Sequence, residues 1–217
     1  MSDVENRCRI VLIAPQMGEA DMAARVIGNA LRGGDVASVI LPQYDLDDRS
    51  FQTLAEAVVP VIQRAGAAAL ICGEHRVAMR TRADGLHVDG PAQAVQDALE
   101  QFSPDQIVGG GRAKDRHTAL ELGELRPDYV FFGKLAGDIK PEPHRKNIEL
   151  GRWWASMVEI PCVVMGGSAI DCVVEVAESG AEFVALREAV FADTQKAAMM
   201  VAEANALLDE KAPRFED

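Results

Sequence analysis

Apolar residues in this chain occur in short runs that are separated by longer stretches of mixed polarity. The runs are bounded by glycine, proline or polar residues and are rich in valine, isoleucine and leucine, as expected for buried parallel strands. Eight such runs are present, at residues 9–14, 36–41, 67–72, 85–88, 106–109, 128–133, 161–165 and 182–186. The pattern therefore predicts eight strands.

The intervening stretches place apolar residues three or four positions apart, which is the spacing of an amphipathic helix. In the first stretch, Met22, Val26 and Ala30 fall on one helical face. We expect Ser50 to cap the second helix and Pro91 to lie in the first turn of the fourth. Helices are predicted at residues 18–31, 51–64, 74–82, 91–101, 115–122, 148–158, 170–178 and 189–208.

The alternation of strand and helix, at a spacing of roughly 25 residues, is typical of a (β/α)8 TIM barrel with eight parallel strands. A doubly wound open sheet is the competing arrangement, but no GxGxxG motif follows the first strand. A barrel is expected to carry its chemistry in the loops after the strands. The length of 217 residues suits one domain, 1–217, with residues 1–8 and 210–217 as flexible ends.

Composition and charge exclude several classes of protein. Hydrophobic residues make up 48% of the chain and charged residues 26%, and no apolar run reaches the roughly 18 residues of a membrane span. The net charge of −12 argues against a nucleic-acid partner. The polar start MSDVENRCR lacks the pattern of a secretory signal, so we expect a cytoplasmic protein.

The cysteines and tryptophans are expected to be structural. No two cysteines form a CxxC pair, which favours buried free thiols over disulfides or a zinc site. The adjacent Trp153 and Trp154 fall in a predicted helix, so at least one should be in the core, and the other is a candidate for a subunit contact. A homo-oligomer is therefore left open. The four cysteines are Cys8, Cys72, Cys162 and Cys172.

The seventh strand ends at a pair of glycines, Gly166 and Gly167, before a helix and the eighth strand. Paired glycines let the backbone approach a ligand closely, and N–H groups at the start of a helix attract anions. In TIM barrels the loops after the last two strands are favoured places for phosphate. We therefore predict a phosphate site at Gly166 and Gly167, with the hydroxyl of Ser168 as a further donor. The alternative is a tight turn without a ligand.

Three segments and the order of the eight units carry a resemblance to a known family. They are ADGLHV at 83–88, DYVFFG at 128–133 and IPCVVMGGSAIDCVVEVAESGAEFVAL at 160–186. With them, the chain resembles the thiamine phosphate synthase family, which includes the thiazole tautomerases, over nearly its whole length. The resemblance implies a TIM barrel that couples an aminopyrimidine pyrophosphate with thiazole phosphate and uses Mg²⁺ to hold the departing pyrophosphate.

Several positions that bind ligands in that family carry other residues here. The arginine and lysine that follow the second strand are absent from VILPQ at 39–43, and the metal-binding aspartate after the third strand corresponds to Gly73 or Glu74. The second metal carboxylate falls on Ala92. Glu74 and Asp89 are therefore the candidates for a rebuilt Mg²⁺ site.

Two further candidates come from the loops after the fourth and sixth strands. His87 is a candidate for a substrate contact, and the alternative is a core or rim histidine held by a backbone carbonyl. Lys140 stands where the family has a lysine, and we predict that it binds the ligand's phosphate. It belongs to a cationic loop that either folds over the barrel mouth or remains solvated. That loop contains Lys134, Lys140, His144, Arg145 and Lys146.

The sequence supports two functions. The first is a thiamine phosphate synthase-like protein of thiamine biosynthesis whose pyrophosphate and Mg²⁺ apparatus has been lost or rebuilt. The alternative is a non-catalytic binding or regulatory barrel, and in both the partner is a small phosphorylated heterocycle. Arg187 and Glu188 replace a small serine-type loop after the eighth strand, and Glu188 would repel a phosphate unless Arg187 offset its charge.

Overall fold

The strands of the protein close into a single parallel barrel. The computed structural model describes residues 6–215, so residues 1–5 and 216–217 of the predicted flexible ends lie outside it. The strands are β1 (Arg9–Ile13), β2 (Ser38–Pro42), β3 (Ala68–Cys72), β4 (Gly85–Val88), β5 (Ile107–Gly110), β6 (Tyr129–Phe132), β7 (Cys162–Met165) and β8 (Phe183–Leu186). Each strand pairs with its sequence neighbours, and β1 also pairs with β8 to complete the ring. The predicted TIM barrel is confirmed.

The helices follow the strands, with one departure near the end of the chain. They are α1 (Ala20–Leu31), α2 (Asp48–Arg64), α3 (His75–Thr81), α4 (Ala92–Phe102), α5 (Arg116–Glu124), α6 (Arg145–Ala155), α7 (Cys172–Ala177), α8 (Glu188–Phe191) and α9 (Ala197–Lys211). The prediction of one helix at 189–208 is wrong, because a turn at Asp193 separates α8 from α9. The Asp193 carboxylate accepts the N–H of Gln195 at 3.1 Å, a local bond that competes with helix formation.

Capping interactions shift the starts of several other helices. The side chain of Asp47 caps α2 by accepting the N–H of Ser50 at 2.8 Å, so Ser50 lies inside the first turn and its prediction as the cap is wrong. Pro91 is the N-cap of α4 rather than a member of its first turn. The start of α6 at Arg145 precedes the predicted start at 148.

Side chains along each strand alternate between the helical shell and the barrel interior. On β1, Ile10 and Leu12 pack with the helices, whereas Val11 and Ile13 belong to the inner cluster. Because side chains fill the interior, the barrel has no pore, and a ligand has to be held at its mouth. The inner cluster consists of Val11, Ile13, Ile40, Leu70, Tyr129, Phe131, Val163, Met165 and Ala185.

Acidic side chains join neighbouring strands at the end of the barrel where the strands begin. Asp84 precedes β4 and accepts an N–H from β3 at 2.7 Å, and Asp128 precedes β6 and accepts one from β5 at 2.7 Å. Glu182 precedes β8 and accepts an N–H from β7 at 2.8 Å. Each bond joins an ionised acceptor to a backbone donor and stabilises this end of the barrel. The functional site is therefore expected at the opposite end of the barrel, where the strands terminate.

The first described residues pack against α9 at the same end. Arg7 is only 1% exposed, and its guanidinium donates to Asp209 at 2.7 Å and to Asn205 at 3.0 Å. Arg7 and Cys8, which were predicted to belong to a flexible end, are therefore buried. The burial follows from contacts with α9, which a linear pattern does not reveal.

Other structural expectations can be compared directly with the fold. All four cysteines are free, as predicted, and all but Cys72 are buried. Trp154 is fully buried and donates its indole N–H to the Ile160 carbonyl at 2.7 Å, whereas Trp153 is partly exposed. Within residues 6–215, no helix is long and apolar enough to cross a bilayer.

Candidate functional site

A cavity of about 1280 Å³ opens at the end of the barrel where the strands terminate. Its walls come from the loops that follow β2 to β6, in agreement with the general position of TIM-barrel sites. The lining includes Gln43 after β2, Cys72 at the end of β3, Asp89 after β4, Lys114 after β5 and Asn147 after β6. Burial raises the pKa of the Cys72 thiol to about 12, so it stays protonated at neutral pH.

Positive charge predominates on the walls of this cavity. Arg112, Lys114, Lys134 and Lys146 line it, and Asp89 is the single acidic residue among the described lining residues. The Asp89 carboxylate accepts from the Nε of Arg112 at 3.2 Å, which leaves the lysines uncompensated by lining carboxylates. Because the whole chain carries a net charge of −12, this concentration of cations distinguishes the cavity from the rest of the protein. Such a cavity attracts anions.

The loop that carries Arg112 and Lys114 is fixed at both ends. The N–H of Gly111 donates to the Val88 carbonyl at 2.9 Å and so extends the pairing of β4 with β5. At the other end Asp115 and Thr118 form a capping box for α5, and the bonds from Thr118 lower the pKa of the Asp115 carboxyl. The two cationic side chains therefore project from a short loop between fixed points.

His87 lies at the base of the mouth and is held by a tyrosine. Strand register places His87, Gly109 and Tyr129 side by side on β4, β5 and β6. Because Gly109 has no side chain, the Tyr129 ring crosses it and the hydroxyl lies 2.8 Å from Nδ1 of His87. His87 lines the cavity, where a substrate contact was predicted, and a tyrosine hydroxyl holds it rather than the backbone carbonyl of the alternative interpretation.

Burial keeps the imidazole of His87 neutral. The side chain is 2% exposed, and desolvation lowers its pKa to about 4 although the nearby Asp89 carboxylate acts in the opposite direction. Nε2 of His87 is buried without a hydrogen-bond partner among the described residues. A methyl group added at Gly111 would lie 3.1 Å from Nε2, so the absence of a side chain at 111 avoids a close contact with that nitrogen.

The N–H groups of the glycine turn already have acceptors within the chain. Gly166 donates to the Ala185 carbonyl at 2.9 Å, and Gly167 donates to the Cys172 sulfur at 3.2 Å. Ser168 donates its N–H to the Lys140 carbonyl at 2.8 Å. The predicted phosphate donors are thus bonded within the chain and do not line the cavity, and that of Ser168 bonds to the β6–α6 loop (residues 133–144).

The predicted cationic loop divides between the cavity and the outer surface. Lys134, His144 and Lys146 line the cavity, so part of the loop does fold over the mouth. Lys140 is exposed and contributes its backbone carbonyl to the glycine turn. Arg145 pairs with Glu149 at 2.8 Å along α6, and its side chain is exposed.

Comparisons with known proteins identify the family of this chain. Residues 10–190 match the family described as thiamine monophosphate synthase. The chain belongs to this family. Two thiamine-phosphate synthases are similar: that of Rhodospirillum centenum is 31% identical over 202 residues, covering 93% of this chain and 98% of the relative, and that of Hyphomonas neptunium is 30% identical over 209 residues, covering 94% and 95%.

Solved structures show the same barrel. The thiamine phosphate pyrophosphorylase from Pyrococcus furiosus superimposes with a TM-score of 0.78 at 21% identity, covering 95% of this chain and 98% of that one. A geranylgeranylglyceryl phosphate synthase from Thermoplasma acidophilum gives a TM-score of 0.68 at 15% identity, covering 94% of each chain. Similarity at these identities concerns the fold.

The Mg²⁺ that the family implies does not fit the carboxylates present here. Glu74 lies in a separate hollow beside α2 and α3, where its carboxylate caps α3 by accepting the N–H of Arg76 at 3.4 Å. Asp89 lines the main cavity and is engaged by Arg112. In the described part of the chain, no three His, Cys, Asp or Glu side chains form a group that could hold a metal ion. Glu74 and Asp89 are therefore not brought together as the predicted rebuilt pair.

Sequence reasoning did not single out several residues that shape the mouth. Arg112 and Lys114 follow three consecutive glycines at the end of β5. Such a run of glycines is a sequence signal for a loop that contacts a ligand. Tyr129 was assigned only to a strand, and its contact with His87 depends on strand register. Asp138 is the one aspartate in the cationic loop, and no local pattern marks it as a functional residue.

Proposed function

We propose that this protein acts in thiamine biosynthesis by coupling a pyrophosphorylated aminopyrimidine with thiazole phosphate, using side-chain cations in place of the family's metal apparatus. The observation that carries the proposal is the concentration of Arg112, Lys114, Lys134 and Lys146 around one cavity of an acidic protein. Family membership supplies the substrate class.

The cations would act on the leaving group. In the coupling reaction the bond between the pyrimidine methylene and a pyrophosphate oxygen breaks, and pyrophosphate leaves with the bonding electrons. The thiazole nitrogen then supplies the electron pair for the new bond to carbon. Fixed positive groups beside the departing oxygen stabilise the charge that develops there, which is the main way in which such sites accelerate a reaction.

His87 suits a role beside the pyrimidine rather than beside the pyrophosphate. Since its pKa is lowered to about 4, the ring carries no charge at neutral pH and does not repel a methylene carbon that becomes positive. Its Nδ1 is already bonded to Tyr129, which fixes the orientation of the ring in the floor of the mouth.

A coupled assay of thiamine phosphate formation in the presence of EDTA tests the proposal. We expect turnover without added Mg²⁺, and we expect Lys114→Met and Lys146→Met each to lower kcat/KM by about tenfold to a hundredfold, as for the loss of one charged hydrogen bond. Lys211→Met, at the distant end of α9, provides the matched control and should leave kcat/KM unchanged. Strict dependence on Mg²⁺ would contradict the proposal.

A second candidate function is non-catalytic binding of a small phosphorylated ligand. It is favoured by the engagement of the glycine-turn N–H groups within the chain and by the lack of a metal-binding group among residues 6–215. Calorimetry with pyrophosphate and with thiazole phosphate separates the two functions. Metal-independent binding without turnover favours the binding barrel, and binding of neither ligand contradicts both.

A further inference from the structure

We infer that Asp138 is a built-in anion that occupies the phosphate position between the ends of β7 and β8, so that a ligand of this barrel holds its anionic group elsewhere in the mouth. This inference concerns the specificity of the site and does not depend on the reaction proposed above. It rests on three sets of contacts that bring the β6–α6 loop, the glycine turn and the start of α8 together.

The first set of contacts surrounds the Asp138 carboxylate. Its side chain is completely buried, and Oδ1 accepts from Nε and Nη2 of Arg187 at 3.1 and 2.9 Å. Oδ2 accepts the backbone N–H of Glu188. A guanidinium group and a backbone N–H after β8 are the donors that a phosphate would use at this place in a TIM barrel. Here a carboxylate from the chain itself satisfies them.

The second set of contacts covers the glycine turn after β7. The N–H groups of Ser168 and Ala169 donate to the carbonyls of Lys140 and Pro141, at 2.8 and 3.2 Å. A methyl group added at Gly167 would lie 1.9 Å from the Pro141 carbonyl oxygen, so the missing side chain is what allows the loop to lie on the turn. In this protein Gly167 accommodates the chain's own backbone where a ligand was expected.

The third observation is the local balance of charge. Arg187 also pairs with the Glu188 carboxylate at 3.2 Å, so two carboxylates share one guanidinium group. A phosphate placed beside them would meet an excess of negative charge at close range and in partly buried surroundings. The position therefore rejects a second anion as long as Asp138 remains in place.

In the sequence, Asp138 of the β6–α6 loop lies between two lysines of the cavity. Lys134 precedes Asp138 and Lys146 follows it, and both line the mouth. Anchoring the loop through Asp138 therefore holds Lys134 on the wall of the cavity, next to the loop after β5 that carries Arg112 and Lys114. The loop closes the anion position at the glycine turn and contributes to the cationic wall of the cavity instead.

Backbone ¹⁵N NMR with inorganic phosphate as the probe tests the inference. We expect phosphate to leave the amide signals of Ser168, Ala169 and Glu188 of the wild-type protein unchanged. In Asp138→Ser, which removes the internal carboxylate, the same signals should shift on titration, with phosphate affinity at this place at least about tenfold higher, as for a gained charged hydrogen bond. Glu142→Ser is the matched control, because it removes an exposed carboxylate from the same loop.

The outcomes separate this inference from the proposed function. Phosphate-dependent shifts of Ser168 and Glu188 in the wild-type protein would overturn the inference, and this measurement needs no variant to fold. An Asp138→Ser protein that folds and gains no phosphate response at these amides would also overturn it, as would an equal gain in Glu142→Ser. Failure of the proposed reaction would appear instead in the cavity variants and in the turnover assay.

Discussion

The buried His87 should make this barrel lose stability as the pH falls below neutrality. In the folded protein the pKa of His87 is lowered to about 4, first by burial, and the Asp89 carboxylate opposes this only in part. In the unfolded chain the imidazole is solvated and takes up a proton near its ordinary pKa of about 6.5. The unfolded state therefore binds the proton first when acid is added.

The magnitude follows from the two pKa values. Stability is fully present above pH 6.5, because the ring is neutral in both states, and it falls as the pH decreases towards 4. A separation of roughly 2.5 pKa units at about 1.4 kcal/mol each corresponds to about 3 kcal/mol for this one group. For a domain of this size that loss lowers Tm by about 6–12 °C.

Urea unfolding between pH 7.5 and 4.5 measures this loss when wild type is compared with His87→Gln. Gln cannot take up the proton, so the stability difference between wild type and His87→Gln should change by about 2.5 kcal/mol over this range, because the loss is complete only below pH 4. The control is His117→Gln, since the His117 side chain is 83% exposed and pairs with Glu121 one turn along the same helix. Parallel stability curves for wild type and His87→Gln would refute the reasoning.

Two further substitutions test the packing that positions the site. Gly109→Ala should destabilise the protein by about 3 kcal/mol or more, because the new methyl group would lie 1.9 Å from the Tyr129 ring. Gly110→Ala is the control and should destabilise it far less, because the nearest neighbours of its methyl group lie at 3.5 Å. Equal urea midpoints for the two variants would contradict the reasoning. Trp154→Phe should lower the free energy of unfolding in urea by about 1–3 kcal/mol, because it leaves the Ile160 carbonyl without its 2.7 Å donor. A loss no larger than that of Trp153→Phe would argue against this account.

The β6–α6 loop contributes both to the wall of the cavity and to the cover over the glycine turn. Through Asp138 it is attached to the start of α8, and through its carbonyls it covers the glycine turn. Lys134 of this loop lines the cavity. A ligand that enters the mouth is therefore expected to meet a preformed cationic wall, which lowers the cost of ordering side chains on binding.

The sequence by itself determined the architecture of this protein. Strand and helix periods are local properties, and short alternating units with right-handed crossovers leave few arrangements besides a parallel barrel. The order of the units also placed Gly166 and Gly167 after β7 and His87 at the end of β4, as the structure has them. Helix boundaries were less well determined, because caps such as Asp47 act through single side-chain bonds.

Only the tertiary structure decided what the barrel mouth contains. Asp138 and Arg187 are 49 residues apart, and His87 and Tyr129 are 42 residues apart across a glycine, so no local pattern reports either contact. The loop after β6 could have remained in solvent, and its position depends on bonds to the glycine turn that form only when the barrel closes. The N–H groups of Gly166 and Gly167 bond to β8 and α7, and those of Ser168 and Ala169 bond to the β6–α6 loop, since N–H groups that become buried bond to the nearest acceptor available.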